Sequence, residues 1–69
     1  MKISARNCLK GIVRKVVTGA VNSEVIIELK CGEQICSIIT NESAKSLKIE
    51  EGKEAYAVVK ASNVMIAVD

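Results

Sequence analysis

The sequence has no histidine, proline, phenylalanine or tryptophan, and Tyr56 is its only aromatic residue. Histidine is the usual general base at neutral pH and a common metal ligand, so its absence excludes Ser-His and Cys-His catalysis within one chain. The scarcity of aromatic residues removes the stacking platform on which single-stranded nucleic acids bind. The composition therefore favours a protein that binds a ligand over an enzyme.

The chain also has no long apolar run and no export signal. Its uninterrupted apolar stretches are only a few residues long, whereas a membrane-spanning helix needs roughly 20. Arg6 and Lys10 interrupt the N-terminus too early for a secretion signal. We therefore expect a cytoplasmic protein that does not contact a membrane.

Large core residues are scarce in a short chain. The 69 residues are 49% hydrophobic, which is typical of a folded domain. A chain of about 60 residues buries only about 60% of the surface that its unfolded form exposes, and aromatic side chains normally supply much of a small core. Three cysteines cannot form a complete disulfide set in one chain. We therefore predict that other copies of the chain supply the missing burial, in an obligate oligomer.

Valine and isoleucine dominate the apolar residues, and their alternation predicts strands. Gly11 stands where a bulge in a long first strand would be tolerated, and Gly32-Glu33 predicts a two-residue hairpin turn. Thr40 or Asn41 can cap one short helix. The expected strands are 6–17, 24–31, 35–40, 55–60 and 64–68, with the helix at 41–47. This order predicts an all-β fold, a small OB-like five-stranded barrel with one short helix between strands 3 and 4.

Several familiar sites are absent from the sequence. The spacing of Cys8, Cys31 and Cys36 does not match structural zinc sites, and small buried hydrophobes are the better interpretation. The glycines make isolated turns and no phosphate loop. We therefore predict no metal coordinated directly by side chains.

Positive charge and hydroxyl groups are concentrated near the ends of the predicted strands. Residues 1–15 carry five basic side chains and no acidic one, within a net charge of +2. Two opposite unit charges 4 Å apart interact by roughly 4 kcal/mol at an effective dielectric constant of 20, so a dianion would gain from a few of these cations. Helix-capping hydroxyls and solvated lysines are the alternative interpretation. The candidate residues are Ser4, Arg6, Thr40, Ser43, Lys60 and Ser62.

Five motifs resemble the molbindin family of Mop domains, which bind molybdate and tungstate. They are SARN (4–7), LKG (9–11), GAVNSEV (19–25), SIIT (37–40) and KASNVM (60–65). The resemblance covers essentially the whole chain and implies a single Mop domain over residues 1–69. It also implies an OB-like fold, a homohexamer built as a trimer of dimers, and storage or homeostasis of molybdenum.

The resemblance implies two kinds of oxyanion site and no organic cofactor. The interface site would use Ser4, Arg6, Lys60, Ser62 and the main chain around Ala61, with Thr40 and Ser43 from an adjacent subunit. The second site, near the threefold axis, would use the main chain of Gly19, Ala20, Val21 and Asn22. A purely structural turn is the alternative interpretation of that segment.

Two other functions remain open at this point. An OB-type domain that binds single-stranded nucleic acid could use the basic first strand for phosphate contacts, although the chain lacks stacking aromatics. A regulatory oxyanion sensor would instead report occupancy to a partner protein. Oxyanion binding without a nucleic-acid partner is the favoured prediction.

Overall fold

A computed structural model describes residues 1–69 as one antiparallel sheet with a short helix. The four strands lie in the order β3-β2-β1-β4, and α1 connects β3 to β4. A turn of 3₁₀ helix over Ala61–Asn63 follows the last strand. The elements are β1 (Asn7–Thr18), β2 (Asn22–Leu29), β3 (Gln34–Thr40), α1 (Asn41–Ser46) and β4 (Glu54–Val59).

The chain forms four of the five predicted strands. Residues 64–68 pair with no other segment, which corrects the strand count from five to four. Met65, Ile66 and Val68 are 92%, 86% and 90% exposed. The segment is apolar on both faces, and no strand of the same chain lies beside it to accept its hydrogen bonds. We call residues 64–68 the C-terminal arm.

The core is small and consists of β-branched and small side chains. Only 6 of the 69 residues are buried, and the central cluster is Val13, Val25, Ile27 and Ala57. The side chains of 13 large hydrophobic residues are exposed. A single chain therefore leaves much of its apolar surface in water.

β1 is long enough to pair with two strands and is irregular at its centre. Its first half pairs with β4 and its second half with β2, and the register shifts between Val13 and Lys15. The irregularity thus lies after Gly11, not at it. A Cβ atom on Gly11 would lie 2.5 Å from the carbonyl oxygen of Glu28 and 2.6 Å from Cγ2 of Ile27. Glycine is therefore required there because β2 approaches closely.

The β2–β3 connection is longer than the predicted two-residue turn. Glu28 pairs with Gln34, the amide of Leu29 donates to the carbonyl of Glu33 at 2.8 Å, and the amide of Gly32 donates to Leu29 at 2.9 Å. Gly32 adopts a φ of +91°, which glycine tolerates without steric cost. The turn therefore ends at Glu33 but begins earlier than the Gly-Glu pair suggested.

The cysteines are not buried in the single chain. Cys8, Cys31 and Cys36 are all free and exposed. The interpretation of these residues as small buried hydrophobes is therefore wrong for the isolated chain. Cys36 lies on the edge strand β3, whose outer side no segment of the chain covers.

The helix begins and ends by local hydrogen bonding. Thr40 is its N-cap, and its Oγ1 accepts from the amide of Ser43 at 3.0 Å, as the sequence predicted. At the other end the amide of Lys48 donates to Lys45 at 3.1 Å, with Lys48 at a φ of +54°. This left-handed residue reverses the chain after α1. No helix reaches the length and apolarity needed to cross a bilayer.

Candidate functional site

A groove opens at the end of the sheet where β1 begins and β4 ends. The last pair between the two strands joins Asn7 to Val59, so Arg6 and Lys60 are the next residues on either side. The groove has a volume of about 600 Å³. Its lining is Ile3, Ser4, Ala5, Arg6, Val58, Lys60, Ala61, Ser62 and Asn63. The structure thus brings together five of the predicted site residues in what we call the cationic groove.

Main-chain donors in the cationic groove come from the 3₁₀ turn. Lys60 is its N-cap, and the amides of Asn63 and Val64 close the turn by donating to Lys60 at 2.8 Å and to Ala61 at 3.3 Å. Those bonds leave the amides of Ala61 and Ser62, at the start of the turn, free for a ligand. The groove therefore offers amides, hydroxyls and cations to an anion.

The charges of the cationic groove have no partner in the chain. The two ion pairs of the molecule join Lys10 to Glu54 at 3.2 Å and Arg14 to Glu28 at 3.0 Å. Neither Arg6 nor Lys60 forms one, and no acidic residue lines their groove. The groove is therefore positive and has no carboxylate to repel an anion.

A second groove carries the same types of charged side chain in a different arrangement. It has a volume of about 470 Å³ and lies on β1 between β2 and β4. Its Lys10 and Arg14 are each paired with a carboxylate, and Glu54 raises the pKa of Lys10 by accepting its hydrogen bond and by its negative charge. We call this the paired groove. Apart from Lys30, its charges balance.

Thr40 and Ser43 lie on a different surface of the chain from Arg6. They line a cavity of about 370 Å³, and the hydroxyl of Thr40 donates to Oγ of Ser43 at 2.9 Å. The full lining, which we call the hydroxyl face, is Thr40, Glu42, Ser43, Ser46 and Leu47. Within one chain the predicted interface site is therefore divided into two separate halves.

Glu42 is a member of the hydroxyl face that sequence reasoning missed. It lies in the first turn of α1, where a negative charge is favourable. It is the one charged residue among those lining that cavity. Glu42 directly precedes Ser43, which is predicted to bind the oxyanion. That position in the sequence was the signal that could have identified it.

The Gly19–Asn22 turn is held by Asn41, which sequence reasoning considered only as a helix cap. The amide of Gly19 donates to Asn22 at 2.8 Å, the amide of Asn41 donates to Val21 at 2.8 Å, and Nδ2 of Asn41 donates to Gly19 at 2.9 Å. The hydroxyl of the buried Ser23 donates to Oδ1 of Asn41. These bonds occupy carbonyl groups of the turn and leave the amides of Ala20 and Val21 unused.

The chain matches one protein family over nearly all of its length. The family model of the TOBE domain matches residues 3–66. A probable molybdenum-pterin-binding protein from Haemophilus influenzae is 46% identical over 69 residues, which cover 100% of both chains. The chain belongs to the TOBE domain family. Its resemblance to the Mop domains is also confirmed.

Solved structures place this Mop domain among molybdate-binding proteins of the same fold. MopII from Clostridium pasteurianum superposes with a TM-score of 0.93 and 46% identity, over 97% of this chain and 100% of that chain. The cytoplasmic molybdate-binding protein ModG, with molybdate bound, gives a TM-score of 0.90 and 46% identity over 94% of this chain and 46% of ModG. These likenesses confirm the all-β, OB-like fold class.

Proposed function

We propose that this Mop domain, residues 1–69, binds molybdate, and also tungstate, in the cytoplasm for storage and homeostasis of molybdenum. The observation that carries the proposal is the cationic groove, where Arg6 and Lys60 converge without a carboxylate partner. The metal of such an anion is already surrounded by four oxygens, so recognition needs hydrogen bonds and positive charge instead of cysteine or histidine ligands. The similarity to ModG, a cytoplasmic molybdate-binding protein, supports molybdate binding.

The interface site forms when the hydroxyl face of one protomer meets the cationic groove of its neighbour. Ser4, Arg6, Lys60 and Ser62, with the main chain of Ala61, then contribute from one side, and Thr40 and Ser43 from the other. We assign the assembly as a homohexamer, a trimer of dimers, as the family resemblance implies. The exposed C-terminal arm and the 13 exposed large hydrophobic residues support self-association, because burial between copies removes them from water.

A second site at the Gly19–Asn22 turn would bind its anion through main-chain amides. Ala20 and Val21 carry amides that the turn does not use, and Asn41 fixes the turn in place. Val21 is 69% exposed, so a neighbouring copy can reach this turn.

Selection among oxyanions follows from size. Molybdate and tungstate have longer metal–oxygen bonds than the bonds of sulfate, so a cavity fitted to them leaves sulfate with longer, weaker contacts. We therefore expect sulfate to bind more weakly than molybdate.

The role is binding alone, with no catalysis, no organic cofactor and no nucleic-acid or membrane partner. No three histidine, cysteine, aspartate or glutamate side chains lie close enough to hold a metal ion. Tyr56 is 49% exposed but stands alone, so it makes no stacking surface. A regulatory sensor would use the same site residues and would in addition require a partner protein.

Native mass spectrometry with and without molybdate, combined with isothermal titration, tests the proposal. We expect a hexamer that gains molybdate, and Arg6→Ala or Lys60→Ala should weaken binding by about 10- to 100-fold because a charge-assisted hydrogen bond is lost. The hexamer should persist in both variants. Arg14→Ala is the matched control and should retain the wild-type affinity. A wild-type protein that binds neither molybdate nor tungstate would overturn the proposal.

A further inference from the structure

We propose that Glu42 of one protomer is the counter-ion of Arg6 and Lys60 of its neighbour in the empty site, and that molybdate displaces it. The inference rests on the proposed function, because only the proposed interface brings the hydroxyl face opposite the cationic groove. Glu42 then determines how tightly the site holds its anion. It acts as an affinity-determining residue and does not ligate the bound anion.

Glu42 lies on the same surface of the chain as the predicted oxyanion ligands Thr40 and Ser43. Thr40, Glu42 and Ser43 line the same cavity of about 370 Å³. An arrangement that points the hydroxyls of Thr40 and Ser43 at an anion in the neighbour's groove therefore brings Glu42 close to that groove as well. The carboxylate has no ion-pair partner within its own chain to hold it elsewhere.

The cationic groove and the hydroxyl face carry charges of opposite sign. Arg6 and Lys60 are the charged side chains of the cationic groove, and both are positive. Glu42 is the one charged side chain of the hydroxyl face, and it is negative. Enclosing two cations between subunits without a counter-ion carries a large desolvation cost. A single carboxylate on the opposing surface offsets part of that cost when no ligand is present.

Binding of a dianion changes the net charge of the proposed site. With Glu42 present, the empty site carries one net positive charge, and a bound dianion leaves one net negative charge. With glutamine at this position the empty site has two positive charges, which the dianion neutralises. Glu42 therefore stabilises the empty assembly and weakens binding, so the anion can be released as well as held.

The test is Glu42→Gln, which preserves the size of the side chain and removes its charge. Isothermal titration of the assembled variant with molybdate should give an affinity about tenfold tighter than wild type, since a repulsion is removed from the bound state. The affinity should also fall more steeply with added salt, because the site gains net positive charge. Native mass spectrometry without molybdate should show more dissociated chain than in wild type.

Glu33→Gln is the matched control, because Glu33 lies in the exposed β2–β3 connection and lines neither cavity. It should leave affinity and assembly unchanged. Circular dichroism of the Glu42 variant reports whether α1 survives the loss of an acid from its first turn. For an assembled, helical variant, an affinity equal to or weaker than wild type contradicts the inference while leaving molybdate binding intact. Failure of the wild type to bind molybdate contradicts the proposed function itself.

Discussion

The cationic groove and the paired groove contain the same kinds of basic side chain, but these side chains differ in whether they form ion pairs. Lys10 and Arg14 lie within β1, where a neighbouring strand supplies Glu54 or Glu28 to each. Arg6 and Lys60 lie just beyond the last pair of the β1–β4 ladder, where no cross-strand neighbour is available. The register of the sheet thus gives Lys10 and Arg14 carboxylate partners and gives Arg6 and Lys60 none.

By our proposal, this difference separates structural charges from charges that bind the anion. Exposed ion pairs across a sheet contribute little to stability, and their carboxylates cancel the field that would attract an anion. Arg6 and Lys60 line one groove outside the ladder and form no ion pair. An anion in that groove, from a ligand or from another chain, would be attracted by both cations. Substitutions in the two grooves should therefore affect different measurements.

The largest expected difference between the grooves comes from reversing one charge in each. Lys60→Glu replaces attraction to a dianion by repulsion, and molybdate affinity should fall by at least about 100-fold. Lys10→Glu makes the same chemical change in the paired groove. It should leave molybdate affinity within about twofold of wild type, because exposed charges a Debye length of about 10 Å away are largely screened.

Isothermal titration at physiological salt measures both affinities, and native mass spectrometry confirms that each variant is assembled. Equal losses from the two reversals would show that overall charge attracts the anion. The distinction between the grooves would then be lost.

A methyl group at Gly11, in the paired groove, should affect stability and not binding. Its Cβ would meet the carbonyl oxygen of Glu28 at 2.5 Å and the side chain of Ile27 at 2.6 Å. Gly11→Ala should therefore lower the free energy of unfolding by about 1–3 kcal/mol, the usual cost of overpacking. Chemical denaturation measures this loss. Folded, assembled Gly11→Ala should bind molybdate as wild type does, and weaker binding would mean that the two grooves are coupled.

The smallest expected effect is the pH response of the Lys10–Glu54 pair. The hydrogen bond and negative charge of Glu54 hold the pKa of Lys10 above its ordinary value. A raised pKa in the folded state means that the pair stabilises at neutral pH and that this contribution is lost as the pH rises through the pKa of Lys10. Glu54→Gln should lower that pKa, as measured by NMR titration. An unchanged pKa would show that the pair does not persist in solution.

The sequence predicts local structure well because the signals are local. Stretches rich in valine, isoleucine and other apolar residues identify β1 to β4, and Thr40, one of the two predicted caps, starts α1. The hairpin turn was predicted too short because the hydrogen bond from Leu29 to Glu33 depends on the pairing of β2 with β3. The C-terminal arm was predicted as a strand from its composition. A strand also needs a partner, and the chain provides none.

For the candidate site, too, the sequence predicts what is local and does not predict the long-range contacts. The residue types at Ser4, Arg6, Lys60 and Ser62 indicate anion chemistry, but only the Asn7–Val59 pair shows that they share one groove. Asn41 and Glu42 each have a local role in α1. That role explains both residues locally, so the sequence does not indicate their contacts beyond the helix. Their partners lie on the Gly19–Asn22 turn and, by our proposal, in another protomer.

By our proposal of self-association, the exposed C-terminal arm makes the stability of this molecule depend on its concentration. The apolar side chains of the arm would gain free energy when a second copy covers them, and that contact becomes rarer on dilution. The melting temperature should therefore rise with protein concentration. In a dilute sample the chain should unfold first at the C-terminal arm. For such a chain, a higher concentration of the protein stabilises its folded state.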